Sequence, residues 1–586
     1  MRFFQYFCLG ICLSFAAHTS AYAQNTTEQT VSSFFQSLNP IATGAIPSQM
    51  PTPTRSLTPM LMLAQSNWSE LSPATQALVN PWLARPTDGI AINIKNITII
   101  PFTLAQESTW DSTYFTFHYT TTGANAATLN FVQQLAVEAD KVWAKEIGTM
   151  AYNAPPSDGS LGGSGKYDIY LLDTGSAGVY GYVTSDASTY LGSPYLHSLY
   201  SHMVIDNDFL GFPQAPLDAA KVTLAHEFFH SIQFGYDPGE LPAFSESTAT
   251  WMEDKVYPTI KDNLQYIGEA YVDNNHNGQY DAGETWSDHN GNGLRESGSQ
   301  DYPELPVDAF GRSPNGLEQY GRFMWIRYLS DKFGDPLIKT ILTNTGITAG
   351  NNTYPAIDAA LQTQGSSLAT AFHKWGIWNT DINLYQNGID YPITWVDNLV
   401  SAGINISNDS ATVLQQLGGK QPHLSTVYER IQNPTGTFTF TSPSAALLSV
   451  MTQTTLGGAY TTTPIPLTAG QGSWAAPASI AMATFVISNT SATDNAMTWK
   501  LSDGVTPAMP SLTPTGPVYS DASGAISGNT GSTTTIISSS SSGGCLTSTP
   551  RNAHILWLWL LLVPTLLLIS NKTRKPNKCL YPQRIS

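Results

Sequence analysis

Leu224-Ala225-His226-Glu227-Phe228-Phe229-His230 is the stretch on which the reading of this chain turns. Two histidines four apart lie on one face of an α-helix, so both imidazoles can point at a single metal ion. The glutamate between them is placed to take a proton from a water polarised by that metal. A helix fits the local sequence. Asp218 is suited to cap its start, Val222, Ala225 and Phe229 give it an apolar side, and Gly235 is suited to end it. A tetrahedral zinc site needs a third protein ligand and an open position. The stretch Phe244-Ser245-Glu246-Ser247-Thr248-Ala249-Thr250-Trp251-Met252-Glu253-Asp254 reads as the next helix, stopped by Pro258. It carries two acids on one side: Glu246, expected in the first turn and taken as the third ligand, and Glu253, the alternative or a group that orients a histidine.

Around this core the flanking sequence is informative. His226–His230 with Gln233-Phe234-Gly235-Tyr236-Asp237 and the Ser-Glu-x-x-Ala-Thr-Trp-Met-Glu-Asp helix resembles a family of exported bacterial metalloproteases of gluzincin type. Pro155-Pro156-Ser157-Asp158-Gly159, Tyr167-Asp168-Ile169-Tyr170-Leu171 and Tyr320-Gly321-Arg322-Phe323-Met324-Trp325 are similar too, so the likeness covers roughly 110–390. The resemblance implies a two-lobed zincin-like protease fold and zinc held by His226, His230 and Glu246. It also implies peptide-bond hydrolysis with Glu227 as base. One departure is Glu246-Ser247, where many gluzincins have Glu-Gly. Such chemistry needs a donor to the oxyanion, for which Tyr320 is the leading candidate, with Tyr257, His197 and His202 as others.

A second constellation is Asp273-Asn274-Asn275-His276-Asn277-Gly278-Gln279-Tyr280-Asp281-Ala282-Gly283-Glu284. Oxygen-bearing Asp273, Asn275, Asn277 and Asp281, with Gly278 at the turn and Glu284 at position twelve, match a calcium loop; Gln279 supplies position seven. A partial copy follows in Asp288, Asn290, Asn292, Gly293 and Glu296, with Ser299 in place of the last acid. No EF-hand helices flank the pair, so the expectation is a structural Ca2+ site in an insertion at 271–300.

The chain has 586 residues, 26 Lys+Arg and 43 Asp+Glu, for a formal charge of −17. With 14 Trp, 27 Tyr and 23 Phe it can bury a large core and is not a solvated coil. All 43 acids lie between residues 24 and 544, which argues against a nucleic-acid partner. Arg2, the apolar run Phe3–Ala17 and Ala21-Tyr22-Ala23 read as a signal peptide, 1–23, cut after Ala23. Residues 24–95, rich in Pro, Thr and Ser, read as an N-terminal extension or pro-segment with a short helix at Pro59–Gln65. A strand is expected at Ile92–Ile100, across that boundary. Further strands are expected at Tyr114–Tyr119, Lys166–Leu172 and His202–Ile205, and a helix at Asn130–Ile147.

The expected architecture is therefore α+β: a catalytic domain at 96–395, a small β-sandwich at 396–503, a Ser/Thr/Gly/Pro-rich spacer at 504–544 and a tail at 545–586. The tail joins Gly543-Gly544-Cys545, an apolar helix at 555–569 and the basic cluster Lys572, Arg574, Lys575 and Lys578. It resembles bacterial C-terminal sorting tails, which implies a transient membrane anchor, processing near Gly543, Gly544 and Cys545 by an intramembrane sorting protease, and a cell-surface or released product. Fifteen apolar residues rise only about 22 Å as a helix, short for a lasting anchor. The four cysteines (Cys8, Cys12, Cys545, Cys579) all lie in the ends, so the body has no disulfides. The functional expectation is an exported zinc metallopeptidase acting on a peptide or protein substrate. The alternative is a catalytically silent surface adhesin or coat protein on the same scaffold.

Overall fold

Five short strands set the frame. In the computed structural model, β3 (Ser108–Asp111), β4 (Phe115–Tyr119), β5 (Tyr167–Leu172), β6 (Gly181–Thr184) and β7 (His202–Asp206) form one sheet in the order β3-β4-β5-β7-β6. β4, β5 and β7 run parallel, while β3 and β6 close the two edges antiparallel. The structure describes residues 27–38, 56–94, 97–268, 283, 305–312, 316–348, 352–380, 384–385, 420–442, 446–455, 458–493 and 495–502, all within one compact unit. The chain is thus a mixed α+β protein.

Both faces of this sheet are buried, and alternate residues serve different cores. Phe115, Phe117, Ile169, Leu171, Met203 and Ile205 face a core built with α4 (Leu129–Trp143) and α5 (Pro216–Tyr236). Tyr170, Leu172, Tyr182 and Val204 face the other way, onto the N-terminal stretch: α1 (27–38), α2 (Thr58–Ser66), α3 (Pro73–Leu83) and the hairpin β1 (Ile92–Ile94)–β2 (Ile97–Ile99). The expected single strand over Ile92–Ile100 is therefore two three-residue strands paired Ile92 to Ile99.

That second face also holds polar groups, and Arg85 reaches into them. Its guanidinium donates from Nε to Asp186 at 2.8 Å, from Nη1 to Asp168 at 2.5 Å and from Nη2 to Asp158 at 2.6 Å. His118 sits behind, between Glu107 (2.6 Å) and Asp168 (3.0 Å). His202 lies in the same cluster, its pKa pushed down to about 3 by burial and by the Arg85 charge. Arg85→Met would strand three carboxylates in a site where they were paired. It is expected to cost about 3–5 kcal/mol, read from the denaturant midpoint.

After the sheet the chain is helical: α5, α6 (Pro242–Val256), α7 (Glu318–Gly321), α8 (Phe323–Phe333), α9 (Pro336–Ile347), α10 (Thr353–Gln362) and α11 (Leu368–Trp378). Beyond 420, β8 (Ser425–Gln432), β10 (Ala446–Gln453), β11 (Thr461–Pro464) and β13 (Met482–Asn489) form one antiparallel sheet. β9 (Thr437–Thr441), β12 (Gln471–Ala475) and β14 (Lys500–Ser502) form another. The two share Val427, Phe438, Phe440, Val450, Phe485 and Trp499. The outer face of the first sheet rests on α11, where Tyr428 donates to the Gly376 carbonyl at 2.8 Å and the His373 ring lies between Ser449 and Ser488, 2.9 Å from each hydroxyl.

Among the described residues no helix is long and apolar enough to cross a membrane. The expected calcium ligands, the signal cleavage site at Ala23, the Gly543-Gly544-Cys545 motif and the apolar run 555–569 lie outside the described residues.

Candidate metal centre

α5 carries the first pair of groups and is fixed to the sheet along its length. Phe228 packs edge-on against Phe115 and Tyr167 and beside Trp143. Burying one such ring contributes roughly 1.5–3 kcal/mol. The Ser231 hydroxyl bonds the Glu227 carbonyl at 3.1 Å and lies 2.6 Å from the Tyr167 hydroxyl. The helix starts one residue pair before the expected cap: Ala215 precedes Pro216, and Asp218 sits in the first turn. Gly235 does not end it either. A Cβ there would fall 2.9 Å from Pro156 Cδ, so the glycine lets the Pro155-Pro156 loop lie against the helix. α6 begins at Pro242, which places Glu246 in its second turn.

With α5 and α6 packed together, His226, His230 and Glu246 converge in the interior, each no more than 2% exposed. His226 Nε2 is 3.0 Å from Glu246 Oε2 and 3.1 Å from His230 Nε2, and the third side of the triangle is 3.7 Å. The far side of each ring is occupied. His226 Nδ1 donates to Glu253 Oε1 at 2.7 Å and His230 Nδ1 to Gln233 Oε1 at 2.7 Å. Those bonds place each ring proton on Nδ1 and turn both Nε2 lone pairs inward. Burial keeps His230 neutral, its pKa pushed down to about 4. With the ring protons on Nδ1, the two Nε2 lone pairs and the Glu246 oxygen form a donor set suited to a cation. The group could hold a metal ion.

The two acids of α6, two turns apart, bracket the His226 ring from opposite nitrogens. Glu246 completes the triangle and Glu253 holds the ring. Gln233 does the same for His230 and is itself fixed, donating to Thr248 Oγ1 at 2.7 Å and to the Ser245 carbonyl at 3.1 Å. Its spacing of three from His230, a helical neighbour distance, is the one sequence signal for that role.

Glu227 is buried beside the group, on the flank where α5 meets the edge strand β6. A Cβ on Gly181 would lie 3.4 Å from Glu227 Cγ and 2.9 Å from the Val204 carbonyl, so glycine permits this close approach. Tyr320 is fully buried, its ring 6.1 Å from that of His226 and stacked at 4.9 Å on Tyr266. The other candidates are engaged elsewhere: Tyr257 donates to Glu138 at 3.1 Å, His197 to Asp237 at 2.7 Å, and His202 belongs to the Arg85 cluster.

Two residues had no signal in the sequence. Thr58 Oγ1 donates to Glu227 Oε2 at 2.9 Å, and the Ser56 amide donates to the Tyr320 hydroxyl at 3.0 Å. No protein-family model matches the chain, and no match is found among curated proteins.

Proposed function

We propose that the chain is an exported zinc metallopeptidase of gluzincin type, with His226, His230 and Glu246 as ligands and Glu227 as base. The observation that carries this reading is the inward-facing triangle of two imidazole nitrogens and a carboxylate oxygen. Atoms bound tetrahedrally at about 2.0–2.1 Å from zinc lie about 3.4 Å apart, and the three spacings here bracket that value. Two further features support it. α5 packs against β6 and β7 of the sheet and against α6, as the zincin reading requires. A carboxylate and a phenol flank the triangle.

Zinc bound there would supply a polarised water and a Lewis acid for the scissile carbonyl. Glu227 takes the proton of the attacking water on its carboxylate and later returns it to the leaving amine. Tyr320 donates its phenolic proton in a hydrogen bond to the oxyanion. Glu253 and Gln233 hold the two rings in the tautomer that binds metal. Calcium bound by the 273–299 loop and a transient anchor at the tail belong to the same proposal, as expectations from their sequence patterns.

Casein hydrolysis by the full chain, lost on chelation and regained with zinc, tests the reading. A zinc-loaded chain that cuts neither casein nor a random peptide library, as wild type and as Thr58→Val alike, would contradict it. Glu253→Ala should keep the ligands yet weaken zinc about 10–100-fold, measured by competition with a chromogenic chelator.

A further inference from the structure

We infer that the N-terminal segment Ser56–Ser66, locked behind by Arg85, is a built-in inhibitor seated in the substrate position of this site; the inference rests on the peptidase reading above. β6 is the outer strand of the sheet on its Glu227 flank, so its free edge is where an extended peptide could pair beside the base. That edge is taken. Ser56 bridges to Gly181 in parallel, and the Val183 amide donates to Thr58 Oγ1 at 2.7 Å.

The same hydroxyl reaches the base. Thr58 Oγ1 gives its one proton to Glu227 Oε2 and accepts from the Val183 amide and from Ser56 Oγ at 3.0 Å, which uses its whole hydrogen-bonding capacity. The Ser56 amide spends its proton on the Tyr320 hydroxyl, the group that would serve a substrate carbonyl. Ser56, Thr58, Glu227 and Tyr320 are each at most 1% exposed, so a substrate cannot reach base or phenol while the segment stays. The segment is held down by its own helix and by the residues C-terminal to it. α2 and α3 bury Leu57, Met60, Leu61, Val79 and Trp82 against the sheet, and Arg85 is gripped by three aspartates. As part of the same chain, the segment competes at an effective concentration on the order of millimolar.

The test uses the full zinc-loaded chain as wild type, Thr58→Val, Thr58→Ser and Ser56→Pro/Thr58→Val. Valine keeps the volume and removes the hydroxyl; proline removes the amide proton. Amide hydrogen exchange at Val183 should quicken at least about 10-fold in Thr58→Val and return toward wild type in Thr58→Ser. Affinity for a leucyl dipeptide hydroxamate, and casein turnover with it, should rise about 3–10-fold for the single variant and more for the double. Variants that keep the wild-type circular dichroism and bind zinc, yet bind the hydroxamate no tighter, overturn the inhibitor with the metal site intact. If the double variant does not fold, Thr58→Val alone decides. Absence of zinc from every sample overturns both readings, and the metal assay alone identifies that outcome.

Discussion

Glu227→Gln is expected to lower casein hydrolysis about 10²–10⁴-fold, in the wild-type chain and in Thr58→Val alike, while zinc content stays unchanged. The amide keeps the shape of the carboxylate and cannot take a proton, so the loss isolates proton transfer from folding. The triangle lies on other side chains, at His226, His230 and Glu246. An activity loss with zinc lost as well would make Glu227 part of the metal-holding set. Full activity would remove its role as base.

The second large effect concerns stability. The three donor atoms are forced together by packing, at 3.0, 3.1 and 3.7 Å, with both imidazoles held from behind by Glu253 and Gln233. A folded chain that binds metal in excess over its Kd by 100-fold gains about 2.7 kcal/mol over the unfolded chain. Chelation should therefore lower Tm by about 3–4 °C, and readdition of zinc should restore it. His230→Ala should behave like the chelated wild type and gain nothing from zinc. A wild-type Tm that does not respond to chelator would contradict a metal held at this group.

Much of this is legible in the sequence because short-range physics wrote it. The four-residue spacing of His226 and His230 and the seven-residue spacing of Glu246 and Glu253 are helix periods, and each pair lands on one face. β4, β5 and β7 each begin and end within one residue of the expected strands, since alternation marks them, whereas the α-helix expected over Asn130–Ile147 ends at Trp143. β3 and β6 escape because Ser108–Asp111 and Gly181–Thr184 are edge strands of four residues, too short for a pattern to repeat. The helix signals at Asp218 and Gly235 mislead for a different reason. A cap-forming side chain and a helix-ending glycine are local preferences, and here Pro216 sets the start while the contact with Pro156 uses the glycine.

The least legible part is the most consequential for access. Thr58 and Glu227 are 169 residues apart, as are no two groups joined by a helical or strand period. The Pro/Thr/Ser-rich composition of 24–95 suggests an N-terminal extension or pro-segment but not where it sits. In the fold, Leu57, Met60, Leu61, Val79 and Trp82 cover a sheet face, and Arg85 neutralises acids spread over Asp158, Asp168 and Asp186. Composition averages such anchors away; only their placement in space makes them a cover.

The most direct measurement is zinc content of the purified full chain by plasma mass spectrometry, beside Glu246→Ala and Glu253→Ala after identical dialysis. The expected result is about one zinc per chain in the wild type, none in Glu246→Ala and a partial load in Glu253→Ala. A wild type without zinc, or a Glu246→Ala chain loaded as fully as the wild type, would contradict the metal centre described.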